Sequence, residues 1–307
     1  MRLQPFFRDL SSGSRFLLLV LVVLLSGILS VSLTYLISIL FWGRDVIASS
    51  GNPDLMNLGF LRFTQIFNQL GFFLLPPILF AWLSEQLPGG FLGFTRPKTI
   101  HLLAAVLLIM VIGPLTGVLT EWNEMLTLPE QLSGLEDWIR ISENKAARLT
   151  ERLLNDPGVT TLAVNLLMIG LLTALGEELL FRSALIGIFR KVFRGIHWPV
   201  IISAFIFSAL HFQFYGFLPR FMLGLAFGYL FVWSGSVWVP VTAHFVNNAG
   251  IVVASFLYNR GVSPVAPEDL GTSGSGLWIG LSVVACLLIM IWVYRTRVFP
   301  LKTEQIT

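Results

Sequence analysis

Long apolar runs separated by short polar connections recur along the whole chain. Eight of these runs have about the length that a helix, rising 1.5 Å per residue, needs to cross a hydrocarbon core of roughly 30 Å. We predict the spans at residues 16–42, 64–84, 99–120, 159–189, 198–214, 217–233, 237–258 and 277–294. The pattern therefore predicts an all-α, polytopic integral membrane protein with about eight transmembrane helices.

Two of the predicted spans differ from a plain apolar helix. The second carries three amide side chains, Gln65, Asn68 and Gln69, and then a pair of prolines at 76–77. This predicts a bent helix that is partly buried among its neighbours. The fourth is longer than a bilayer requires, so we expect its C-terminal part to reach the membrane interface.

The composition supports a membrane protein. Of the 307 residues, 55% are hydrophobic and 12% are charged, whereas soluble domains carry about 25% charged residues. The net charge of +3 follows from basic residues at the ends of the spans, which argues against a nucleic-acid partner. The single cysteine, Cys286, excludes an internal disulfide and a cysteine-rich metal site.

Basic residues also predict the orientation of the chain in the membrane. They occur in the N-terminal segment, in the second-to-third and fourth-to-fifth connections and in the C-terminal tail, and all four segments fall on one side of an eight-span arrangement. The residues are Arg2, Arg8, Arg15, Arg96, Lys98, Arg190, Lys191, Arg194, Arg295, Arg297 and Lys302. Because basic loops remain in the cytoplasm, we predict a multi-pass protein with both termini cytoplasmic.

The longest connection, residues 121–158, falls on the opposite side and is rich in acidic residues. Its segment 134–154 has the pattern of an amphipathic helix. Such a helix can contact lipid through its apolar side chains or serve as a solvated connection, and the pattern leaves both readings open. The apolar side chains available for lipid are Leu135, Trp138, Ile139, Ile141 and Leu149.

The fourth span contains two adjacent glutamates, Glu177 and Glu178, with Arg182 one turn later. Charged groups in hydrocarbon are costly and therefore mark candidate functional sites. Glu178 and Arg182 are four residues apart, so they share a helical face and can pair. Glu177 points about 100° away and has no such partner on its own helix. Burial of an unpaired carboxylate favours its protonated form, which suits acid–base chemistry near neutral pH. The alternative is an ion-pair cluster that only fixes helix packing.

Two later spans each add a histidine. Phe207 and His211 lie four residues apart in the fifth span, and His244 and Asn248 do so in the seventh. At 1.5 Å per residue, Glu177, His211 and Asn248 lie about 20 Å from the basic ends of their spans, and His244 about 14 Å. Glutamate and two histidines at similar depth suggest activation of water, and therefore hydrolysis. Taken singly, each histidine is also compatible with a structural role or with hydrogen bonding between helices.

In this order, the residues resemble the CPBP family of intramembrane proteases. The family includes type II CAAX prenyl proteases and bacterial proteins linked to bacteriocin self-immunity (the Abi family). Its motifs Glu-Glu-x-x-x-Arg, Phe-x-x-x-His and His-x-x-x-Asn match residues 177–182, 207–211 and 244–248. The resemblance covers about 159–258, which we interpret as the catalytic helical core. Residues 1–158 would then form an N-terminal region of transmembrane helices with the acidic loop, and residues 259–307 a loop, the last span and the tail.

The resemblance implies roles for these residues. Glu177 and His211 would activate water, and Glu178 with Arg182 would support them. His244 and Asn248 would stabilise the oxyanion, an effect of about 2–4 kcal/mol where the donors are preorganised. Members of the family are described both as glutamate-dependent and as metal-dependent, so Glu177, His211 and His244 are also candidate zinc ligands.

These features predict an intramembrane endopeptidase. It would hydrolyse a membrane-associated or lipidated peptide or protein, within the bilayer or at its cytoplasmic side. One alternative is a non-enzymatic membrane immunity or scaffold protein that uses the same polar cluster for binding. A second is an ion or proton transporter, against which the chain offers no inverted repeat.

Overall fold

The computed structural model describes residues 6–46, 56–126, 128–269, 271 and 275–298. Within these ranges the chain is helical and has no strand, which confirms the predicted all-α membrane fold. The helices are α1 (Ser12–Trp42), α2 (Leu58–Ser84), α3 (Pro88–Phe91), α4 (Thr99–Glu124), α5 (Ser133–Leu154), α6 (Val159–Phe189), α7 (His197–Ala209), α8 (Phe217–Ser234), α9 (Trp238–Asn259) and α10 (Gly276–Arg295).

Seven helices in the described ranges are long and apolar enough to cross a membrane: α1, α2, α4, α6, α8, α9 and α10. The fifth predicted span, residues 198–214, is shorter than expected. Helix α7 has 13 residues, or about 20 Å, which is less than a bilayer core. The predicted end at 214 was wrong because the apolar run continues into a turn, where Phe212 has a φ of 52°.

The basic segments meet at one end of the helix bundle. Glu85 forms ion pairs with Arg15 and, at 3.0 Å, with Lys191. Lys98 Nζ donates a hydrogen bond to the Thr296 carbonyl at 3.0 Å. The N-terminal segment, both basic connections and the start of the C-terminal tail therefore lie together. Arg2 and Lys302 lie outside the described residues.

Helix α5 lies at the opposite end of the bundle. It contacts the turn that follows α7, where Ser142 Oγ donates to the Phe212 carbonyl at 3.3 Å and Glu143 accepts from the Tyr215 N–H at 2.9 Å. Its amphipathic pattern is correct, but the apolar side chains divide into two groups. Ile139 is buried and Leu149 packs against the core, whereas the others face outward. The outward-facing side chains are Leu135, Trp138 and Ile141.

Helices α2 and α6 are interrupted by π-helical segments. These run over Gln69–Leu74 in α2 and over Leu166–Leu172 and Glu178–Leu185 in α6. A π turn disturbs the regular bonding of a helix, and a backbone carbonyl in lipid must find a donor within the protein.

Side chains of neighbouring helices provide a donor to a carbonyl in each π segment. Ser26 of α1 bonds to the Gly71 carbonyl at 2.6 Å, and Ser203 of α7 bonds to the Phe181 carbonyl at 2.7 Å. Asn248 of α9 bonds to the Ile169 carbonyl at 3.0 Å. Each of the three π segments is therefore stabilised by a hydrogen bond from a neighbouring helix.

Small residues bring the helices around the polar cluster close together. A Cβ atom at Gly176 of α6 would lie 2.9 Å from Cβ of Phe73 on α2. Gly224 of α8 lies equally close to α7, where an added Cβ would be 3.0 Å from Cβ of Ala204. Residues 176–186 of α6 are all buried, so this part of the helix packs inside the protein. The predicted bounds of the fourth span, 159–189, agree with α6.

Candidate active site

The predicted ion pair on α6 is present and completely enclosed. Glu178 is 0% exposed and Arg182 is 1% exposed. Arg182 Nε lies 3.0 Å from Glu178 Oε2. Each charge removes part of the burial cost of the other, as the spacing of four residues predicts.

Arg182 also joins α6 to two other helices. Its guanidinium carbon lies 4.4 Å from the ring centre of Phe207 on α7 and 5.4 Å from that of Phe227 on α8. Its NH2 donates to the Gly224 carbonyl at 3.4 Å. Aromatic faces attract cations most strongly away from water, so the arginine fixes three helices around one charge.

Glu178 has a second partner, His244 of α9. His244 Nδ1 lies 2.8 Å from Glu178 Oε1, and its ring stacks on Phe227 with centres 5.3 Å apart. A carboxylate that pairs with Arg182 can only accept here, so His244 Nδ1 carries the hydrogen. His244 Nε2 then faces Glu177, with 3.8 Å to Glu177 Oε2.

His211 is held in a similar way by a different partner. It lies just after the end of α7, and its Nδ1 donates to the Phe207 carbonyl at 2.7 Å. The ring sits edge-on to Phe207 with centres 5.0 Å apart. Both imidazoles are therefore fixed at Nδ1, which leaves Nε2 of each ring available to bind a proton.

Glu177 and His211 line one cavity of about 320 Å³. Its walls come from α2, α5, α6 and the end of α7, and among the described lining residues these two are the ionisable ones. Phe181 and Phe207 add apolar wall beside them. His244 does not line the cavity but lies behind Glu177.

Asn248 lies further from the carboxylates than its sequence position suggested. Its Nδ2 donates to the Ile169 carbonyl, eight residues or about 12 Å before Glu177 along α6. The sequence places His244 about 6 Å less deep than Glu177. In the structure, His244 lies at the same level as both glutamates. One hydrogen of the Asn248 amide is thus committed to holding α6, and its oxyanion role stays a prediction.

A metal centre requires the three candidate ligands to converge. The two imidazoles have the arrangement that zinc-bound histidines have, with Nδ1 held by an oxygen and Nε2 unbound. However, no group of three His, Cys, Asp or Glu side chains in the described ranges is close enough to hold a metal ion. The residues present therefore do not fit a zinc site in this arrangement.

Sequence reasoning missed two walls of the cavity. Thr150 and Leu153 of α5 close one side, and Gln65 and Gln69 of α2 form another. The two glutamines gave a usable signal, since amides four residues apart inside a span share a buried face. The contribution of α5 depends on its tertiary contacts and left no comparable pattern.

Residues 159–250 match a protein-family model described as Rce1-like, type II CAAX prenyl endopeptidase Rce1-like. The predicted family resemblance is confirmed over this segment. The Rce1-like segment includes every candidate site residue from Glu177 to Asn248, and it supports a CAAX-type intramembrane protease in general terms.

One curated relative is similar to part of the same chain. It is the "Uncharacterized protein YpbD" of Bacillus subtilis (strain 168), which is 30% identical over 89 residues. The alignment covers 28% of this chain and 42% of the relative, so less than half of the relative's length is matched. No solved structure matches the chain.

Proposed function

We propose that the protein is an intramembrane endopeptidase that cleaves a membrane-associated peptide or protein with water activated by Glu177 and His211. The observation that carries this proposal is that both side chains, which belong to the Rce1-like segment, line the same cavity. A general base and an imidazole with free Nε2 that line one cavity are the groups that water activation requires.

In the proposed reaction, a water molecule in the cavity gives a proton to Glu177 and attacks the substrate carbonyl carbon. His211 Nε2 accepts a hydrogen bond from the same water and orients it. The tetrahedral intermediate then collapses, and Glu177 returns the proton to the leaving nitrogen. Proton transfer by a positioned side chain contributes about 10²–10⁴-fold to the rate.

His244 and Asn248 are the proposed donors to the oxyanion. His244 donates from Nε2 only when both ring nitrogens carry hydrogen, and Glu178 on the Nδ1 side offsets that charge. Asn248 has one amide hydrogen left after its bond to Ile169. Neither side chain lines the cavity in this structure, so this role requires both to turn toward the substrate carbonyl before they can stabilise the developing charge.

We propose that the basic end of the bundle faces the cytoplasm, following the positive-inside rule. The cavity reaches toward α5, which lies at the opposite end. Substrate would then enter from the non-cytoplasmic half of the membrane, whereas the sequence predicts cleavage within the bilayer or at its cytoplasmic side. Cysteine accessibility at Arg96 and Trp138, probed with a membrane-impermeant reagent, tests this orientation directly.

The proposed activity is tested with purified protein and a panel of quenched fluorescent peptides, with and without a chelator. We expect cleavage that Glu177→Gln and His211→Ala abolish, while Glu124→Gln, an exposed glutamate outside the cavity, retains it. If a chelator abolishes the activity and zinc restores it, a metal-dependent mechanism replaces the metal-free one. Full activity of Glu177→Gln would refute the proposal, and an unaltered cellular phenotype in that variant would favour a binding protein.

A further inference from the structure

The cavity wall contributed by α2 contains an unsatisfied polar group. Gln65 and Gln69 both line the cavity, and they lie four residues apart on one face of the helix. Gln69 is 6% exposed, and its Oε1 has no hydrogen-bond partner among the described residues. A buried acceptor without a partner is costly, so such groups in a native protein call for an explanation.

The backbone around Gln69 is firmly positioned. Gln69 is the first residue of the π segment in α2, and Ser30 of α1 bonds to the Phe67 carbonyl at 2.5 Å just before it. On the other side, Gly176 of α6 packs directly against Phe73. The carboxamide is therefore presented to the cavity by a rigid part of the bundle, and π segments occur frequently at functional sites.

The other lining groups restrict what Gln69 can bind. No lysine or arginine occurs among the described lining residues, so the cavity offers no cation to a carboxylate or phosphate. An acyl or isoprenoid chain would leave the carboxamide unpaired. A peptide group satisfies it, because a carboxamide and a backbone amide each offer one donor and one acceptor.

We propose that Gln69, assisted by Gln65, is a substrate-positioning subsite that hydrogen-bonds the backbone of an extended peptide in the cavity containing Glu177. At about 320 Å³, the cavity is at the small end of ligand sites and accommodates a few residues. The substrate segment must be unwound, because a helical peptide has no free backbone groups to offer. This proposal rests on the proposed function for the identity of its ligand.

The first test compares kinetic constants. Gln69→Leu removes both hydrogen-bonding groups at similar size, and we expect KM for the best peptide of the panel to rise about tenfold with kcat within threefold. Gln65→Leu should show a smaller rise in KM, and Gln69→Asn should recover part of the loss. The matched control is Asn68→Leu on the same helix, since Asn68 also has an unpartnered oxygen but does not line the cavity.

The second test measures backbone recognition without turnover. A fluorescein-labelled version of the same peptide, methylated at one backbone nitrogen at a time, is titrated into the Glu177→Gln protein. We expect one N-methyl position to weaken binding about tenfold in Glu177→Gln and to have no further effect in Glu177→Gln/Gln69→Leu. The subsite would be overturned if N-methylation weakened binding equally in both proteins or if the peptide showed no saturable binding. It would also be overturned if Gln69→Leu and Asn68→Leu raised KM equally.

The two proposals fail in different ways. If the wild-type protein cleaves peptides and Gln69→Leu leaves KM and binding unchanged, the subsite is wrong and the protease remains. If binding depends on Gln69 but no peptide is cleaved, the subsite remains and the protease is wrong. When no peptide is cleaved, the peptide for the binding test is the panel member with the highest affinity for the Glu177→Gln protein.

Discussion

Helices α1 and α6 have the same length but different constructions. Each has 31 residues. In the most apolar stretch of α1 the mean hydropathy is 2.9 and 17% of the residues are buried, whereas the values for α6 are 1.9 and 33%. Helix α1 is continuous, and α6 contains two π segments.

The difference lies in how each helix satisfies its polar groups. In α1, hydroxyl groups bond to single backbone carbonyls, either within the helix, as Thr34 does with Ser30 at 2.8 Å, or on α2, as Ser26 does with Gly71 at 2.6 Å. In α6, Glu178 and Arg182 need each other and side chains from α7, α8 and α9. A span can therefore be inserted on hydropathy alone, but a reactive span requires several neighbours that are built around it.

The largest expected difference between the two helices comes from changing Glu177, the proposed general base on α6. We expect Glu177→Gln to lower the rate of peptide cleavage at least about 1000-fold with little change in stability, because the amide cannot take a proton from water. Initial rates in detergent micelles, together with the thermal unfolding midpoint, measure both effects. A variant that retains more than a tenth of the activity would contradict the role of Glu177.

The next largest effect should come from the buried arginine of α6. Arg182→Ala leaves Glu178 buried with one partner fewer, and breaking such a pair costs about 3–5 kcal/mol. Arg15→Ala on α1 leaves Glu85 paired with Lys191 and partly exposed to water, so we expect a smaller loss of about 1–2 kcal/mol. Unfolding free energies from titration with SDS in mixed micelles test the difference, and equal losses would contradict it.

A smaller difference is expected for two buried serines. Ser203→Ala removes the donor to the Phe181 carbonyl in the second π segment of α6, and an unsatisfied buried carbonyl costs about 1–3 kcal/mol. Ser38 on α1 is 0% exposed, and its hydroxyl has no partner among the described residues. Ser38→Ala should therefore change the unfolding free energy by less than about 0.5 kcal/mol or stabilise the protein. The same SDS titration separates the two outcomes.

The smallest expected difference concerns how the two helices begin. Ser11 accepts from the Ser14 N–H at the start of α1, whereas Asp156 accepts from Thr161 and from the Gly158 N–H before α6. The hydrogen bond from Thr161 and then that from Gly158 lower the pKa of Asp156 below its usual value. Its contribution is thus complete above the ordinary aspartate range and is lost as the pH falls through the lowered pKa.

Asp156→Asn should accordingly reduce the acid dependence of the unfolding midpoint slightly, because the group is exposed and screened. Ser11→Ala provides the control, since it should shift the midpoint equally at every pH between about 3 and 6. A pH dependence in Asp156→Asn identical to that of the wild type would contradict the assignment.

Local periodicity was sufficient to predict part of the site. The spacing of Glu178 and Arg182 determines their pairing, and the run of residues 159–189 determines the bounds of α6. The bond from His244 to Glu178 was not predicted, because helical spacing does not specify which residue of a distant helix lies opposite. That bond makes Glu178 the link between Arg182 and His244.

The end of α7 and the position of α5 were also beyond the sequence pattern. Leu210 and Phe212 are apolar and continue the run of α7, although the helix has already ended and both side chains are exposed. Hydropathy measures transfer from water and does not distinguish a turn from a helix. The packing of α5 on this turn depends on polar contacts such as Glu143 with Tyr215, which are specific to the folded chain.

The pairing of Glu178 with Arg182 has a consequence for biogenesis. Both charges belong to the same helix, so a nascent α6 leaving the translocon brings its own counter-ion into the lipid. His244 follows 66 residues after Glu178, when α7, α8 and the beginning of α9 have been synthesised. Insertion of α6 can thus precede completion of the candidate site, and the bond between Glu178 and His244 forms only after α9 has been synthesised.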